Sequence, residues 1–521
     1  MPTLTAASAA AGPGDRVAIV DSIGTTTWDE LDDRVARLLG VLESLGVGSG
    51  SSLLLMTGNE RASIEVILAC MHAGVLVVPV NAHWVADEVA YVLADTDARV
   101  IVAGEGRLEV ARAAIAASGR SPALVAVCDR DVADTLNYER LVADATRSTS
   151  GETFGGPMFY TSGTTGRPKG VRSRLNAVGA PVDAWRVIAD GIGQGIGISG
   201  PGATLLLTGP IYHSVQWVYT FGTLLNGSTV VVQPRFDAAA VLEDIDRHEV
   251  THLHLVPTQM LRLLRLDEST RDAFSGASLR CAYHGAAPCP RWVKQAMIDW
   301  WGPILTEYYG GTEAGFLTTI SSAEWMERPG SVGRPGPNVE VTVVDDDGRV
   351  LPPREAGVIR FRSREGHDFR YHNAEDKTAA AHPEPGVGTL GDVGWFDEDG
   401  YLYLTDRVVD MVVSGGVNIY PAEIEAVLSE HAAVADVAVL GLPDAEMGEQ
   451  VVAVVQTTGG RPLDDALVAQ LEAHCRERLA GYKCPRRWTS TDELPRNEAG
   501  KVPKHLLRAE LTGSTSGLGD R

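Results

Sequence analysis

Eleven consecutive residues, Tyr160-Thr161-Ser162-Gly163-Thr164-Thr165-Gly166-Arg167-Pro168-Lys169-Gly170, bring together three glycines, four Ser/Thr hydroxyls and one lysine. Glycines let backbone N–H groups curl round an anion, hydroxyls donate further hydrogen bonds, and a lysine adds a mobile positive charge. That is the chemistry of a triphosphate cradle. The loop is not of the Walker A kind, because no Gly-Lys-Ser/Thr occurs in it. Five further strings carry reactive or ligand-binding residue types: His284-Gly285-Ala286-Ala287-Pro288, Tyr308-Tyr309-Gly310-Gly311-Thr312-Glu313, Leu390-Gly391-Asp392, Asp406-Arg407 and Pro495-Arg496-Asn497-Glu498-Ala499-Gly500-Lys501. Any one of them alone carries little information.

In this order, from Thr27 to Lys504, they resemble the motifs of the adenylate-forming superfamily of AMP-binding enzymes, and most of all its acyl-CoA synthetases and fatty-acid–CoA ligase-like members. The resemblance implies a role for each string. Thr161, Ser162, Gly163, Thr164, Thr165, Gly166 and Lys169 would hold the phosphates of ATP. Gly285, Ala286 and Ala287 would form the adenine loop, with Tyr309 and Gly310 beside it. Thr312 would contact the α-phosphate, and Glu313 with Thr164 would hold Mg²⁺. Asp392 would bind the ribose hydroxyls, Arg407 the ribose or phosphate, and Lys501 would be the catalytic lysine of a C-terminal loop. Ser414-Gly415-Gly416-Val417-Asn418 would line the channel for the pantetheine arm of CoA, with Gly415 and Gly416 leaving it open. His213 would stand at the mouth of the acid pocket. The resemblance further implies a C-terminal domain that rotates between two half-reactions.

Two positions depart from the pattern: Leu390 stands where threonine is usual, and Val409, followed by Asp410, stands at the usual Asp/Lys hinge position. A β-branched residue is a stiff pivot. Trp217, Phe221 and Tyr308 can line an apolar pocket, but ordinary core packing is the favoured reading for any one of them.

Two other patterns are set aside. His248-Glu249-Val250-Thr251-His252 has the zinc-protease spacing, which needs both histidines on one helix face. Val250 and Thr251 are β-branched and the following residues alternate like a strand, so the helix is expected to end near His248. Gly195-Ile196-Gly197-Ile198-Ser199-Gly200 fits a dinucleotide fingerprint, but Pro201 and Gly202 block a following helix and a loop is expected.

The elements that must hold these residues alternate. Helical spacing over Leu31–Leu45 precedes an apolar run at Ser52–Met56, a helix at Ile64–Ala73, and strands at Val75–Val80 and Val100–Ala103. The alternation returns from Ala203 to Val232 and from Ala238 to Leu255. Strands separated by helices predict parallel sheets covered on both faces. From Asp406 the texture changes to a short strand at Met411–Val413, a helix opened by Pro421 with Glu423 and Glu425 in its first turn, strands at Val434–Leu440 and Val451–Gln456, and a helix carrying Leu467, Leu471, Cys475 and Leu479. The expected fold is α/β: a large multi-sheet N-terminal AMP-binding domain over residues 1–406 and a small mobile α+β lid over 407–511. Residues 512–521 read as a disordered tail.

The chain has 521 residues, 44% hydrophobic and 22% charged, with a formal net charge of -23. That is too long for one core. So acidic a surface repels phosphate backbones and argues against nucleic acid as a partner. The six scattered cysteines lack zinc-ligand spacing and fit a reduced cytoplasmic compartment. There is no signal-peptide pattern and no run long enough to span a membrane. Together with the resemblance, this implies an ATP- and Mg²⁺-dependent acid–CoA ligase that works through an acyl-adenylate on a small-molecule acid, with a homodimer as the default assembly. Three alternatives stand beside it: transfer of the adenylate to a carrier protein or an amine, activation of an inorganic acid such as nitrite, and a nucleotide-binding regulatory module without catalysis.

Overall fold

The computed structural model describes residues 3–10, 12–161, 168–173, 178–407, 410–414, 417–444, 447–497 and 500–513. Ser162, Gly163, Thr164, Thr165, Gly166, Val409, Gly415 and Gly416 lie outside the described residues, as does most of the predicted tail.

Early in the N-terminal half a helix, Trp28–Ser44, starts where the sequence can satisfy its first free N–H groups. Thr27 and Glu30 form a reciprocal capping box. The helix buries Leu31, Val35, Leu38, Leu39 and Leu42 on one stripe. Ser52–Met56 is buried at every position, as a strand covered on both faces must be. It lies inside a six-stranded, all-parallel sheet in the order Leu136–Asn137, Ala123–Val127, Val100–Gly104, Ser52–Met56, Leu76–Pro79, Gly156–Pro157.

A nine-stranded sheet sets the site. Six of its strands are parallel and neighbours in the order Leu305–Gly311, Cys281–His284, His252–Leu255, Thr204–Leu207, Thr229–Val232, Val17–Asp21. Thr204–Leu207 lies between the next two strands of the chain: the chain leaves it to one side for Thr229–Val232, then crosses to the other side for His252–Leu255. The direction of winding reverses there, which is the topological switch point where open α/β sheets bind ligands, beyond the C-terminal ends of their strands.

Three smaller sheets follow. Phe369–Tyr371, Lys169–Ser173 and Phe159–Thr161 form an antiparallel triplet. Val339–Val344, Gly357–Ser363, Asp392–Phe396 and Leu402–Arg407 form an antiparallel sheet of four. The last sheet joins Val417–Ile419, Val412–Ser414, Gly448–Thr457 and Val434–Asp444, with Arg487–Ser490 parallel to Gly448–Thr457. It has a core of its own on each face, one built on Ile424, Val439, Leu467 and Leu471, the other on Leu440, Val452, Leu494 and Leu507. This small unit touches the nine-stranded one. Arg265 Nη2 donates to the Ala435 carbonyl at 2.7 Å, and Trp292 Nε1 to Ser429 Oγ at 3.4 Å.

Some details depart from expectation. Glu425 lies beyond the first turn of helix Pro421–Ser429, where it accepts from Val439 N at 2.7 Å and pairs with Lys504 at 2.8 Å. The helix Ala238–Arg247 ends at the cap His248, Glu249 turns left-handed with φ +49°, and His252 opens a strand, so the two histidines of the zinc-like pattern sit on different elements. The glycine-rich string around Gly197 runs off the end of helix Trp185–Gly195, with φ of +72° at Gly197 and +69° at Gly200. All six cysteines are free thiols. Among the described residues no helix is long and apolar enough to cross a membrane.

Candidate active site

Several candidate residues sit just past the C-terminal ends of the parallel strands. His213 and the helix Ser214–Leu225 follow Thr204–Leu207, Gly285 follows Cys281–His284, and Thr312 and Glu313 follow Leu305–Gly311. The close approach of these loops has a covalent cause. A Cβ on Gly310 would lie 1.9 Å from the Gly315 carbonyl oxygen, and one on Gly285 would lie 2.6 Å from that of Tyr308. Neither position accepts a side chain without moving backbone. Ala286 is left-handed at φ +66° without being glycine, a conformation of the kind held at functional loops.

At one end of the site Lys169 stands on the antiparallel triplet, its backbone opposite Thr161. Its ammonium lies 4.9 Å from the centre of the Tyr371 ring, and the Tyr371 hydroxyl donates to Glu313 Oε1 at 3.1 Å. Burial, seconded by the Lys377 charge, lowers the Lys169 pKa. A partly buried cation weakened in this way is stabilised when an anion arrives. Among the described residues no cluster of three or more His, Cys, Asp or Glu side chains could hold a metal by itself. A single carboxylate beside a phosphate cradle still fits Mg²⁺, which commonly takes one or two carboxylates, substrate phosphates and water.

In the middle, Thr312 Oγ1 and Ser214 Oγ are 3.0 Å apart, tying the Tyr308–Glu313 string to the N-terminus of the helix Ser214–Leu225. His213 caps that helix. Its ring is enclosed, with no partner for Nε2 among the described residues. Burial, and then the Lys501 ammonium within electrostatic reach, push its pKa down to about 4. The imidazole is therefore neutral at physiological pH. Lys501 is exposed, and its loop is braced by Lys501 N to Asn497 Oδ1 at 2.8 Å and Asn497 N to Lys501 O at 2.9 Å. Gly500, left-handed at φ +75°, sits so close to the helix Pro257–Leu264 that a Cβ would come 2.8 Å from Thr258 Oγ1.

At the other end Asp392 is buried, and the Tyr309 hydroxyl donates to its Oδ2 at 2.8 Å. Leu390 packs into the apolar cluster of Tyr309, Ile359 and Leu402. The hydroxyl absent at that position is present one residue earlier: Thr389 Oγ1 accepts from Gly391 N at 3.1 Å and donates to Ile359 O at 2.9 Å. Arg407 pairs with Asp392 along the backbone ladder, and its side chain lies outside the described residues.

The same arrangement of sheets occurs in o-succinylbenzoate CoA synthetase from Bacillus subtilis, solved with its acyl-adenylate intermediate: TM-score 0.81, 28% identity, 100% of this chain and 99% of that one covered. The amide bond synthetase McbA from Marinactinospora thermotolerans superposes with TM-score 0.81 at 27% identity, covering 97% and 99% of the two chains. Feruloyl-CoA synthase from Amycolatopsis sp is 33% identical over 487 residues, 92% of this chain and 93% of that protein. Residues 6–366 match the AMP-binding enzyme model, and residues 423–501 match the AMP-binding enzyme C-terminal domain. The chain belongs to the AMP-binding enzyme family. It is an AMP-forming ligase of mixed α/β fold with a large parallel-rich part and a smaller C-terminal part.

Within this AMP-binding enzyme, Tyr371 and Ser214 were invisible to motif reasoning. Tyr371 lies in no motif, and its strand pairs with the Lys169 strand across a long stretch of chain. Ser214 had a weak signal as the first residue of a helix following a candidate histidine. Trp217 and Phe221 pack with each other, ring centres 4.6 Å apart, and are buried in the main core. Tyr308 is buried too, but its hydroxyl meets His254 Nε2 at 3.1 Å.

Proposed function

We propose that this enzyme condenses a small-molecule carboxylic acid with ATP to an acyl-adenylate, releasing pyrophosphate, and then passes the acyl group to the thiol of CoA. The observation that carries the reading is the convergence of Lys501 and His213 at the helix that also presents Ser214 to Thr312. A carboxylate approaching the α-phosphate brings two anions together, a repulsion of about 4 kcal/mol at 4 Å and an effective dielectric near 20. A cation has to stand between them, and Lys501 enters from the C-terminal loop to do so. The carboxylate oxygen bonds to the α-phosphorus as the bond to the β-phosphate oxygen breaks. Lys169 and the phosphate loop receive the leaving pyrophosphate, with Thr312 at the α-phosphate. Glu313, with Thr164 as a second candidate ligand, would hold Mg²⁺, which would supply charge neutralisation at the phosphates. Neutral His213 presents Nε2 as a hydrogen-bonding group, orienting the carboxylate without repelling Lys501. Asp392, held by Tyr309, takes the ribose hydroxyls, Gly285, Ala286 and Ala287 face the adenine, and Arg407 reaches ribose or phosphate.

CoA as acceptor is supported by the small residues Gly415 and Gly416 and by the relatives named for CoA ligation. Transfer to an amine is the second reading, supported by the likeness to an amide bond synthetase. On this reading the AMP-binding domain spans residues 1–406 and the lid 407–511, in a cytoplasmic enzyme. The test is a panel of acids assayed for pyrophosphate with and without CoA or an amine, and with chelator. Pyrophosphate that vanishes with chelator, and thioester only with CoA, is the expected result. Orthophosphate as the direct product would overturn the reading.

A further inference from the structure

The helix Ser214–Leu225 runs inward from the point where Thr312 meets Ser214. Along it Val215 and Val218 are only partly buried, as is Phe316 on the strand Gly315–Ser321, although all three pack on the main core. These partly open apolar side chains continue inward from the contact of Ser214 with Thr312. Aromatic rings cluster at Tyr219, further along the same helix. Phe316 lies 4.6 Å from Tyr308 and 6.3 Å from Tyr219, and Tyr219 lies 5.0 Å from Tyr283.

The hydrogen bonding at this end is incomplete. The Gln216 amide donates to His254 Nδ1 at 3.0 Å, which leaves Nε2–H of the neutral imidazole to donate to the Tyr308 hydroxyl oxygen at 3.1 Å. Tyr308 thus keeps its own proton to give. Tyr219 is 1% exposed, and its hydroxyl has no partner among the described residues. A buried phenol is ordinarily paired, because water bonds it before folding. Phenylalanine would fill the same space without that cost. A tyrosine here is explained when a ligand completes the bond.

Resting on the acid-activating reading above, we infer that the acid pocket ends on Tyr219, with Tyr308 beside it, and that the acid is an aryl acid whose ring carries a hydroxyl or amino group remote from the carboxyl. The flat apolar walls suit a ring, and the spare hydroxyl suits a polar substituent at its far end. A plain alkyl chain would satisfy neither.

The test measures pyrophosphate release by the full-length enzyme with ATP and Mg²⁺ on matched acids: benzoate against its hydroxy and amino derivatives, 3-phenylpropanoate against its 4-hydroxy derivative, and hexanoate. The substituted member of a pair should lead in kcat/KM by about tenfold or more, because a site built to bond a substituent rejects the analogue lacking it. Tyr219→Phe should remove most of that ratio, chiefly through KM of the substituted acid, while the variant melts no lower than the parent. Equal rates within every pair, or a ratio unchanged in Tyr219→Phe, would overturn the substituent assignment while leaving adenylation standing. Release with none of the acids would overturn the adenylation reading and this inference together.

Discussion

Asp392 is placed by a partner that is itself part of a motif: Tyr309 donates to Oδ2 at 2.8 Å in a buried setting. In the proposed ribose role a carboxylate held in this way would meet the hydroxyls equally in the ground and transition states, which is uniform binding. Asp392→Ala should therefore raise KM for ATP more than it lowers kcat, and Tyr309→Phe should do the same more weakly. A change confined to kcat would remove the ribose role. Glu313 is different, because it sits where Tyr371 and Lys169 converge. Glu313→Gln keeps the shape and loses the charge, so the Mg²⁺ concentration for half-maximal pyrophosphate release should rise. An unchanged Mg²⁺ titration would move the metal elsewhere. The residue types of Lys169, Glu313 and Asp392 stand out in the sequence because each lies in a short string of unusual composition. Tyr371 does not, because a tyrosine two residues past a phenylalanine has no local pattern, and its value comes only from strands paired across a long stretch of chain.

At the level of elements, the alternation of apolar runs and helical spacing was readable, since a strand buried on both faces must be apolar throughout. The division into five sheets was not, because strand order depends on long-range pairing rather than on local pattern. The switch point at Thr204–Leu207 also belongs to strand order, and it explains why the strings gather on one edge. The strands themselves carry a testable charge. His254, at the centre of His252–Leu255, is fully buried and held neutral, with burial pushing its pKa down to about 3. The unfolded chain would bind a proton there near its ordinary value of about 6.5, so between the two values only the unfolded state takes it up. Stability from this residue is thus complete above that ordinary value and is lost as pH falls toward 3. From pH 7 to pH 5 the loss is about 2 kcal/mol. His254→Gln, which cannot charge, should show a correspondingly smaller loss in urea unfolding at the two pH values. The same pH dependence in both proteins would mean that His254 is not neutral in the fold.

The whole molecule poses the question of order in time. Lys501 comes within electrostatic reach of His213 from a small unit with its own two-faced core, and Gly500 lies so close to Thr258 that no Cβ fits between them. An approach this close serves adenylation, where a cation must sit between carboxylate and phosphate. It does not serve a second step in which a thiol must enter, and Gly415 and Gly416, which would admit the thiol, lie in the same C-terminal stretch of sequence. One unit cannot hold both the lysine and an open channel at one place, so the steps should separate by residue. Removing one preorganised group of this kind costs about 10²–10³ in rate, or roughly 3–4 kcal/mol. Lys501→Ala should lose adenylation by at least about that factor. Supplied with preformed acyl-adenylate and CoA, it should still form thioester. Gly416→Trp should make adenylate, seen as pyrophosphate, and fail to make thioester. Equal loss of both half-reactions in both variants would show that the small unit does not alternate, and the β-branched Val409 at the pivot gives that outcome a physical route.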